Sequence, residues 1–276
     1  KWKKFKNRYE LFNKAYLPWE WHKKIFQRAK KINLPIFSSP FDLKAVDFLK
    51  DLKCPAYKIA SPEITDIPLI EKVAKTGKPI ILSLGLAEKK DVDLAIKTLK
   101  KNKCKKFVLL KCLAHYPADP KLLNLKAINL LKKKYNCDVG FSDHTIDSAS
   151  AVTAVSLGAK MIEKHFKLKN EKKSLDSFFS LDTNQFKDMV KNIRTAEKAI
   201  GNMTLKVDKK TKKALKGRKS IYVKKEILKG ENLTKDNLAI VRPFSGLHPK
   251  YYRYIIGKKA RKKIPYGKPL KFSDIN

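Results

Sequence analysis

The sequence lacks the features that define several protein classes. No apolar run approaches the roughly 20 residues that a helix needs to cross a membrane. The opening segment KWKKFKNRYE is too polar to supply the apolar core of a signal peptide. The chain has 4 cysteines, but none are spaced as a CxxC pair, so we expect reduced thiols. These absences predict a cytoplasmic globular protein.

Acidic residues are also scarce: 26 Asp and Glu stand against 64 Lys and Arg, giving a formal net charge of +38. A charge of this size favours contact with polyanions. However, most of the cations are lysines spread over nearly every helix and loop, without an aromatic stacking motif or a zinc finger. We therefore expect anionic substrates and non-specific polyanion contact, but no specific nucleic-acid partner.

What the chain does contain is a regular alternation of strands and helices. Six strand–helix units follow one another from the strand at Pro35 to the helix that ends near Gly201. The strands are continuous runs of β-branched, aliphatic and aromatic residues, which is typical of parallel strands that are covered on both faces. Residues 8–33 are predicted to be helical, with Pro18 in a first turn. The pattern predicts an α/β domain over residues 1–202.

The character of the sequence changes after this domain. Residues 203–219 are predicted to be a charged linker, and residues 220–276 alternate short strands with glycine turns. The second segment is therefore predicted to be a small β-rich domain, close to the lower size limit for independent folding.

Polar side chains follow the carboxyl ends of the predicted strands, the edge at which barrel enzymes build their active sites. Two strands end in a histidine, His144 in VGFSDHT and His165 in AKMIEKHF. With Glu163, Asp143 and Asp176 nearby, these imidazoles predict a divalent-metal site. The alternative is that each histidine is an ordinary polar residue at a strand end. The other polar residues at strand ends are Ser38, Ser39, Lys58, Ser61, Ser83 and Tyr116.

Longer segments allow a more specific interpretation. They are AYLPWEWH (15–22), FSSPFDLKAVDFL (37–49), AYKIASPEITDIPLI (56–70), GKPIILSLG (77–85), VGFSDHT (139–145), LGAKMIEKHF (157–166), DSFFSLD (176–182) and GLHPKYY (246–252). In these segments the chain resembles the sialic acid synthase family. PWEWH points to its pseudaminic acid synthase branch.

This resemblance implies a TIM-type (β/α) barrel followed by an antifreeze-like (SAF) domain, in a domain-swapped homodimer. Because such a barrel has eight strands and six are predicted here, we expect a barrel that lacks its first two strands. The implied activity is a transferase of nonulosonic acid biosynthesis. It would join phosphoenolpyruvate to a 2,4-diacetamido-2,4,6-trideoxyhexose, release phosphate and give pseudaminic acid.

The resemblance also implies roles for individual residues. His144 and His165 would hold Mn²⁺ or Mg²⁺. Glu63 would place the water or the sugar, and Asp176 would contact the sugar or transfer a proton. The implied substrate-binding residues are Ser39, Lys58, Ser61, Ser83, Tyr116, Ser142 and, from the small domain of a second protomer, Arg242.

The chain departs from the family pattern at several pocket positions. Leu84 stands where a hydroxyl is expected, Leu113 and Ala114 replace polar residues, His115 is new, and Pro62 adjoins a pocket residue. Three alternatives stay open, of which the departures and the missing strands motivate the non-catalytic relative and the net charge alone motivates polyanion binding. The chain could be a neuraminate or legionaminate synthase, a non-catalytic relative that binds sugar or serves as a dimer scaffold, or a polyanion-binding protein.

Overall fold

The computed structural model describes residue 2 and residues 5–276. These residues form two compact units, Lys1–Gly201 and Asn202–Asn276, each with its own apolar core. The first unit contains the helices α1 (Arg8–Ala15), α2 (Trp19–Lys31), α3 (Leu43–Asp51), α4 (Ile67–Lys75), α5 (Lys89–Lys101), α6 (Ala127–Tyr135), α7 (Ala149–Ser156) and α8 (Thr183–Ile200). Its strands are β1 (Tyr57–Ile59), β2 (Ile80–Ser83), β3 (Phe107–Cys112), β4 (Asp138–Asp143) and β5 (Ile162–Lys164).

The five strands of the first unit form one parallel sheet in the order β1-β2-β3-β4-β5. A helix follows each strand, as the alternation predicts. The first predicted strand is wrong in extent, because residues 34–39 contribute a single parallel bridge, between Ser38 and Tyr57. Pro35 and Pro40 lie at the two ends of this segment and have no N–H to donate to a ladder.

The sheet packs one face against helices and leaves the other concave. The helix-facing side chains are almost fully buried, and each large one stabilises the fold by about 1.5–3 kcal/mol. They include Tyr57, Ile59, Ile80, Leu82, Leu109, Val139 and Phe141. The concave face carries Lys58 on β1 and Glu163 on β5, whose Nζ and Oε1 atoms lie 3.4 Å apart. Four strand intervals would separate the outer strands by about 19 Å in a flat sheet, so the sheet is strongly curved.

The predicted helix over residues 8–33 is two helices. Helix α1 ends at Ala15 and α2 begins at Trp19, with Pro18 at the N-cap position rather than in the first turn. The residue before a proline is biased away from helical dihedral angles, which explains the break at Leu17.

The second unit contains α9 (Lys209–Ala214), β6 (Ser220–Val223), β7 (Leu238–Val241) and α10 (Tyr252–Ile255). Strands β6 and β7 pair antiparallel, and isolated antiparallel bridges extend the pairing around a small apolar core. The predicted linker is partly helical, since α9 lies within it. Across residue 2 and residues 5–276, no helix has the length and apolarity that a membrane crossing requires.

Candidate active site

The carboxyl ends of the strands bring polar residues into layers on the concave face. Cys112, Ser142 and Glu163 are register partners on β3, β4 and β5, so their side chains lie on the same side of the sheet. The next residues to face this side are His144 and His165, immediately beyond the last paired residues. The parallel register therefore brings the two predicted histidines together.

The two imidazole rings lie edge to face, with ring centroids 5.4 Å apart. Nδ1 of His144 lies 2.9 Å from the carbonyl oxygen of Leu113. A carbonyl oxygen only accepts, so Nδ1 carries the proton and Nε2 keeps its lone pair. Nδ1 of His165 lies 3.5 Å from Oδ2 of Asp176. Burial lowers the pKa of both histidines, which favours the neutral imidazole that binds metals.

The histidine pair fits part of a metal site. No group of three or more His, Cys, Asp or Glu side chains in the described ranges is arranged to hold an ion. Two imidazole Nε2 atoms would leave the remaining coordination positions to water and substrate oxygens, which is the open arrangement of a catalytic site.

Asp143 does not belong to the predicted metal site. Its side chain lies on the opposite face of β4 from Ser142 and His144, because successive residues of a strand alternate. Oδ2 of Asp143 pairs with Nζ of Lys164 at 2.8 Å, and both side chains are 0% exposed. The prediction that this carboxylate joins the two histidines is therefore wrong.

Glu163 instead connects the concave layers. Its Oε1 accepts a hydrogen bond from the hydroxyl of Ser142 at 2.6 Å and pairs with Lys58. Lys58 is nearly buried, so its ammonium is held in the pocket rather than in solvent. A buried cation with one carboxylate partner and nearby hydroxyl groups suits a phosphate or carboxylate ligand.

The serines on the strand ends fall into different environments. The Ser61 hydroxyl accepts from the backbone N–H of Gly85 at 2.9 Å. A side chain at Gly85 would come within 2.9 Å of both Ser61 Oγ and Cys112 Sγ, so this approach requires glycine. Ser83 Oγ and Glu63 Oε2 are buried and meet no hydrogen-bond partner within the part of the chain that the structure describes. Such groups are expected where a ligand supplies the missing partner.

The two remaining carboxyl groups assigned catalytic roles are kept in a poorly solvated environment. Burial raises the pKa of Glu63, which lies in the 3-10 turn Ser61–Thr65 that follows β1. Burial also raises the pKa of Asp176, which adjoins His165. A carboxyl group with a raised pKa is suited to exchange protons near neutral pH.

Aromatic rings surround the histidines on one side. Tyr116 lies over His144 with ring centroids 4.4 Å apart, and Phe179 lies 4.6 Å from the ring of His165. Trp2 contacts Tyr116 at 5.1 Å. Burial raises the pKa of Tyr116 to about 12, so its hydroxyl stays protonated. These contacts place Tyr116 beside His144, and its predicted role in lining the substrate pocket stays a prediction.

Two predicted substrate-binding residues are not brought to this cluster. Ser39 is half-buried beyond the Ser38 bridge, and no hydrogen bond between described residues links its side chain to the cluster. Arg242 is exposed in the second unit, directly after β7. Its predicted role requires a second protomer and stays a prediction.

Some of the residues that depart from the family pattern pack against the apolar core. Leu84 and Leu113 both pack against the helix-facing core of the first unit. These apolar side chains therefore find apolar surroundings. His115 is exposed, and Ala114 is half-buried.

Three contacts that shape the site are not predicted by the sequence. Phe179 packs on both histidines, the carbonyl of Leu113 fixes the His144 tautomer, and Glu163 links Lys58 to Ser142. The only available signal was for Glu163, since a charged dipeptide in the short strand Ile162–Lys164 is unusual in a buried sheet. Contacts made by a loop residue or a backbone carbonyl leave no such pattern.

Comparisons with known proteins agree with this architecture. The NeuB family model matches residues 1–205, and the SAF domain model matches residues 218–276. A pseudaminic acid synthase of Helicobacter pylori is 44% identical over 98% of this chain and 79% of its own length. An N,N'-diacetyllegionaminic acid synthase of Campylobacter jejuni is 39% identical over 92% of this chain and 77% of its own length.

A solved structure supports the same assignment. The spore coat polysaccharide biosynthesis protein SpsE of Bacillus subtilis is 30% identical, with a TM-score of 0.63 over 95% of this chain and 78% of that chain. The curved parallel sheet, the strand-end histidines and the small antiparallel unit thus fit the architecture of one family. This chain belongs to the NeuB family and carries a SAF domain after its (β/α) barrel-type sheet.

Proposed function

We propose that this chain condenses phosphoenolpyruvate with the open-chain aldehyde of a 2,4-diacetamido-2,4,6-trideoxyhexose, giving pseudaminic acid and phosphate. The observation that carries the proposal is the pair of histidines, whose Nδ1 atoms lie near the Leu113 carbonyl and the Asp176 carboxylate, so that Nε2 is the nitrogen left for a metal. The same face carries the buried Lys58 ammonium and the Ser83 hydroxyl, which has no hydrogen-bond partner among the described residues. The 44% identity to a pseudaminic acid synthase selects this sugar among the family's substrates.

In this proposal, the concave face binds the anionic substrate. Lys58 neutralises a phosphate or carboxylate oxygen as a point charge. Of the serines predicted to bind substrate, Ser61 and Ser83 are the candidate donors around it, whereas the Ser142 hydroxyl already donates to Glu163 and Ser39 would have to be brought in by the substrate. Ser83 is the one whose hydroxyl is already buried without a partner in the described residues.

His144 and His165 would hold a divalent ion. When bound, the ion supplies Lewis acidity toward the aldehyde oxygen. Mn²⁺ suits a mixed nitrogen and oxygen donor set better than Mg²⁺, which prefers oxygen throughout. Glu63 and Asp176 carry the proton exchange, since both carboxyl groups are partly withdrawn from solvent. Tyr116 and Phe179 restrict water on one side of the histidines.

We further propose a cytoplasmic homodimer in which Arg242 of one protomer reaches the sugar bound by the other. The support is the family resemblance and the exposure of Arg242, a cation suited to hydrogen-bond the acetamido oxygen.

The test is phosphate release from phosphoenolpyruvate with Mn²⁺ and the diacetamido sugar, with the product identified by mass. We expect turnover by the native chain and its loss in His165→Ala, together with loss of stoichiometric metal. Unchanged metal content in that variant would reject the two-histidine site. Absence of phosphate release by a folded native chain would favour the alternative of a non-catalytic relative.

The second candidate is legionaminate or neuraminate synthesis, which the 39% identity to a legionaminic acid synthase favours. The same assay distinguishes the branches if the sugar is varied. Faster turnover of N-acetylmannosamine or of the legionaminate precursor than of the pseudaminate precursor would replace our first assignment.

A further inference from the structure

The two strands that carry the histidines stop pairing just before them. The β4–β5 ladder ends with the pair Asp143 and Lys164, so His144 and His165 lie one residue beyond the last rung. Their backbones are then held by different neighbours. Ala118 N–H donates to the carbonyl oxygen of His144, and Leu181 N–H donates to that of His165, both at 2.9 Å. No rung of the β4–β5 ladder therefore joins the two histidines themselves.

Beyond the last ladder pair, side-chain hydrogen bonds connect the two strands. We call the group formed by Lys164, Asp143 and Thr145 the clamp. Nζ of Lys164 has three N–H donors and lies within hydrogen-bond distance of four acceptors, which are Oδ2 of Asp143 at 2.8 Å, the carbonyl and hydroxyl oxygens of Thr145, and the carbonyl oxygen of Asp147 at 3.2 Å. Oδ1 of Asp143 in turn accepts from the N–H and the hydroxyl of Thr145, at 2.9 and 2.8 Å. One ammonium on β5 thus contacts the chain on both sides of His144, at Asp143 in β4 and at Thr145 and Asp147 beyond it.

Burying the two charged groups of the clamp removes them from water, which costs free energy. This cost argues that the clamp does more than stabilise the fold. Both charged side chains are 0% exposed. A buried ion pair commonly stabilises a protein no better than apolar side chains of similar volume, whereas in some proteins it specifies one geometry. It also lies on the helix-facing side, so neither charge can contact a ligand in the concave site.

From this arrangement we propose that Lys164 and Asp143 are positioning residues, which hold His144 and His165 at the separation that one divalent ion requires. The proposal rests on the metal site of the proposed function, and the readouts below distinguish the two. Outer contacts that orient metal ligands typically change metal affinity by about 10–100-fold when they are removed.

The variant to test is Asp143→Asn/Lys164→Met in the full chain, because it removes both charges and leaves no uncompensated ion. Mn²⁺ is added without substrate. The dissociation constant is measured from the resonance of free Mn²⁺, and nitrogen couplings in pulsed spectra count the bound imidazoles. We expect binding at least about 10-fold weaker and loss of one imidazole coupling, with metal-free thermal unfolding unchanged or improved.

The matched control is Asp93→Asn/Lys134→Met, which removes an exposed pair with a 2.7 Å contact between α5 and α6. It should bind Mn²⁺ as the native chain does. If the clamp variant does not fold, Lys164→Arg is measured in the same way, since an arginine keeps the charge pair with Asp143 and changes the contacts to Thr145 and Asp147.

Two outcomes overturn the proposal, for different reasons. If the folded clamp variant keeps native affinity and both imidazole couplings, the positioning role fails while the proposed function stands. If the native chain shows no imidazole coupling to Mn²⁺, the metal site fails and the positioning role fails with it.

Discussion

The Ser83 hydroxyl, at the end of β2, is buried, with the residue 2% exposed, and has no hydrogen-bond partner in the described part of the chain. An unsatisfied buried hydroxyl destabilises the free protein. We therefore expect Ser83→Ala to raise the free energy of unfolding by about 1 kcal/mol. The KM for phosphoenolpyruvate should rise about tenfold, which corresponds to one lost hydrogen bond to an anion.

The control is Ser61→Ala, whose hydroxyl already accepts from Gly85 N–H. Its loss should lower the free energy of unfolding by about 1 kcal/mol. Urea unfolding and initial-rate kinetics give both quantities. Destabilisation by Ser83→Ala, with KM unchanged, would mean that the Ser83 hydroxyl is satisfied in solution and binds no substrate.

Lys58 and Lys111 provide a second comparison between single residues. Lys58 faces the concave side and pairs with Glu163, whereas Lys111 lies on the other face of β3 and donates to the carbonyl oxygen of Cys112. Lys58→Met should raise the KM for phosphoenolpyruvate by about 10-fold or more, because a hydrogen bond to a charged group contributes about 1.5–3 kcal/mol. Lys111→Met should leave KM unchanged. Equal effects of the two variants on KM would show that general positive charge, and not Lys58, binds the anion.

Among the elements, the close contact of β4 with β3 and β5 depends on Gly140. A Cβ atom there would lie 2.5 Å from the carbonyl oxygen of Met161 and 2.6 Å from Cδ2 of Leu110. Gly140→Ala should therefore displace β5 and, with it, His165, which directly follows β5. We expect the free energy of unfolding to fall by about 1–3 kcal/mol and Mn²⁺ binding to weaken. Thermal unfolding and Mn²⁺ titration measure the two effects.

Gly217 is the control for this substitution, because a Cβ atom added there would meet nothing within 4 Å and its φ is not in the left-handed region. Gly217→Ala should be neutral or slightly stabilising. If the two alanine variants behaved alike, the close approach at Gly140 would not constrain the sheet.

The C-terminal turn of the second unit depends on a buried carboxylate. Asp274 is 1% exposed, and its Oδ1 lies 3.1 Å from Nζ of Lys262 and 3.2 Å from Nζ of Lys268. Burial by itself would raise the pKa of Asp274. The backbone N–H of Lys271 and the two ammonium groups outweigh that effect, so the pKa lies below its ordinary value.

A depressed pKa in the folded state adds stability above the unfolded pKa of about 4, and this stability is lost as the pH falls through the folded value. Asp274→Asn should thus destabilise the second unit at pH 7 by about 1–2 kcal/mol. The stability of this unit should also fall less steeply as the pH is lowered. Hydrogen exchange of peptides from residues 255–276 in the full chain measures this. Asp236→Asn, which changes an exposed carboxylate, is the control. If the stability of the second unit fell equally with pH in the native and Asp274→Asn chains, the Asp274 carboxylate would not be the group that stabilises it.

Over the whole molecule, the charge of +38 predicts weak, indiscriminate attraction to polyanions. Binding to single-stranded DNA, duplex DNA and RNA of varied sequence should be similar at low salt. It should fall by at least about 100-fold between roughly 50 and 200 mM salt. Fluorescence anisotropy with labelled oligonucleotides tests this. Tight binding to one nucleic acid that survives physiological salt would support the polyanion-binding alternative.

Much of the architecture could be predicted because its signals are local. Continuous apolar strands such as Phe107–Cys112, alternating with amphipathic helices, predict a parallel sheet, and glycine-punctuated short strands predict the small second unit. The extent of the strand at residues 34–39 could not be predicted in the same way. The composition of this segment favours a strand, whereas backbone pairing with a neighbouring strand depends on N–H donors, which Pro35 and Pro40 do not have.

The sequence by itself determined that His144 and His165 meet at one edge of the sheet, because each ends a parallel strand. Only the tertiary structure decided which carboxylates accompany them. Asp143 is next to His144 in sequence, yet strand alternation turns it to the opposite face and into a buried pair with Lys164. The curvature of the sheet brings Glu163 close to Lys58. These residues are far apart in the sequence, so no local pattern predicts the contact. Alternation along a strand is local and by itself separates Asp143 from His144, whereas strand pairing and sheet curvature arise from packing of the whole unit. For that reason the site's charge pairs could not be obtained from spacing alone.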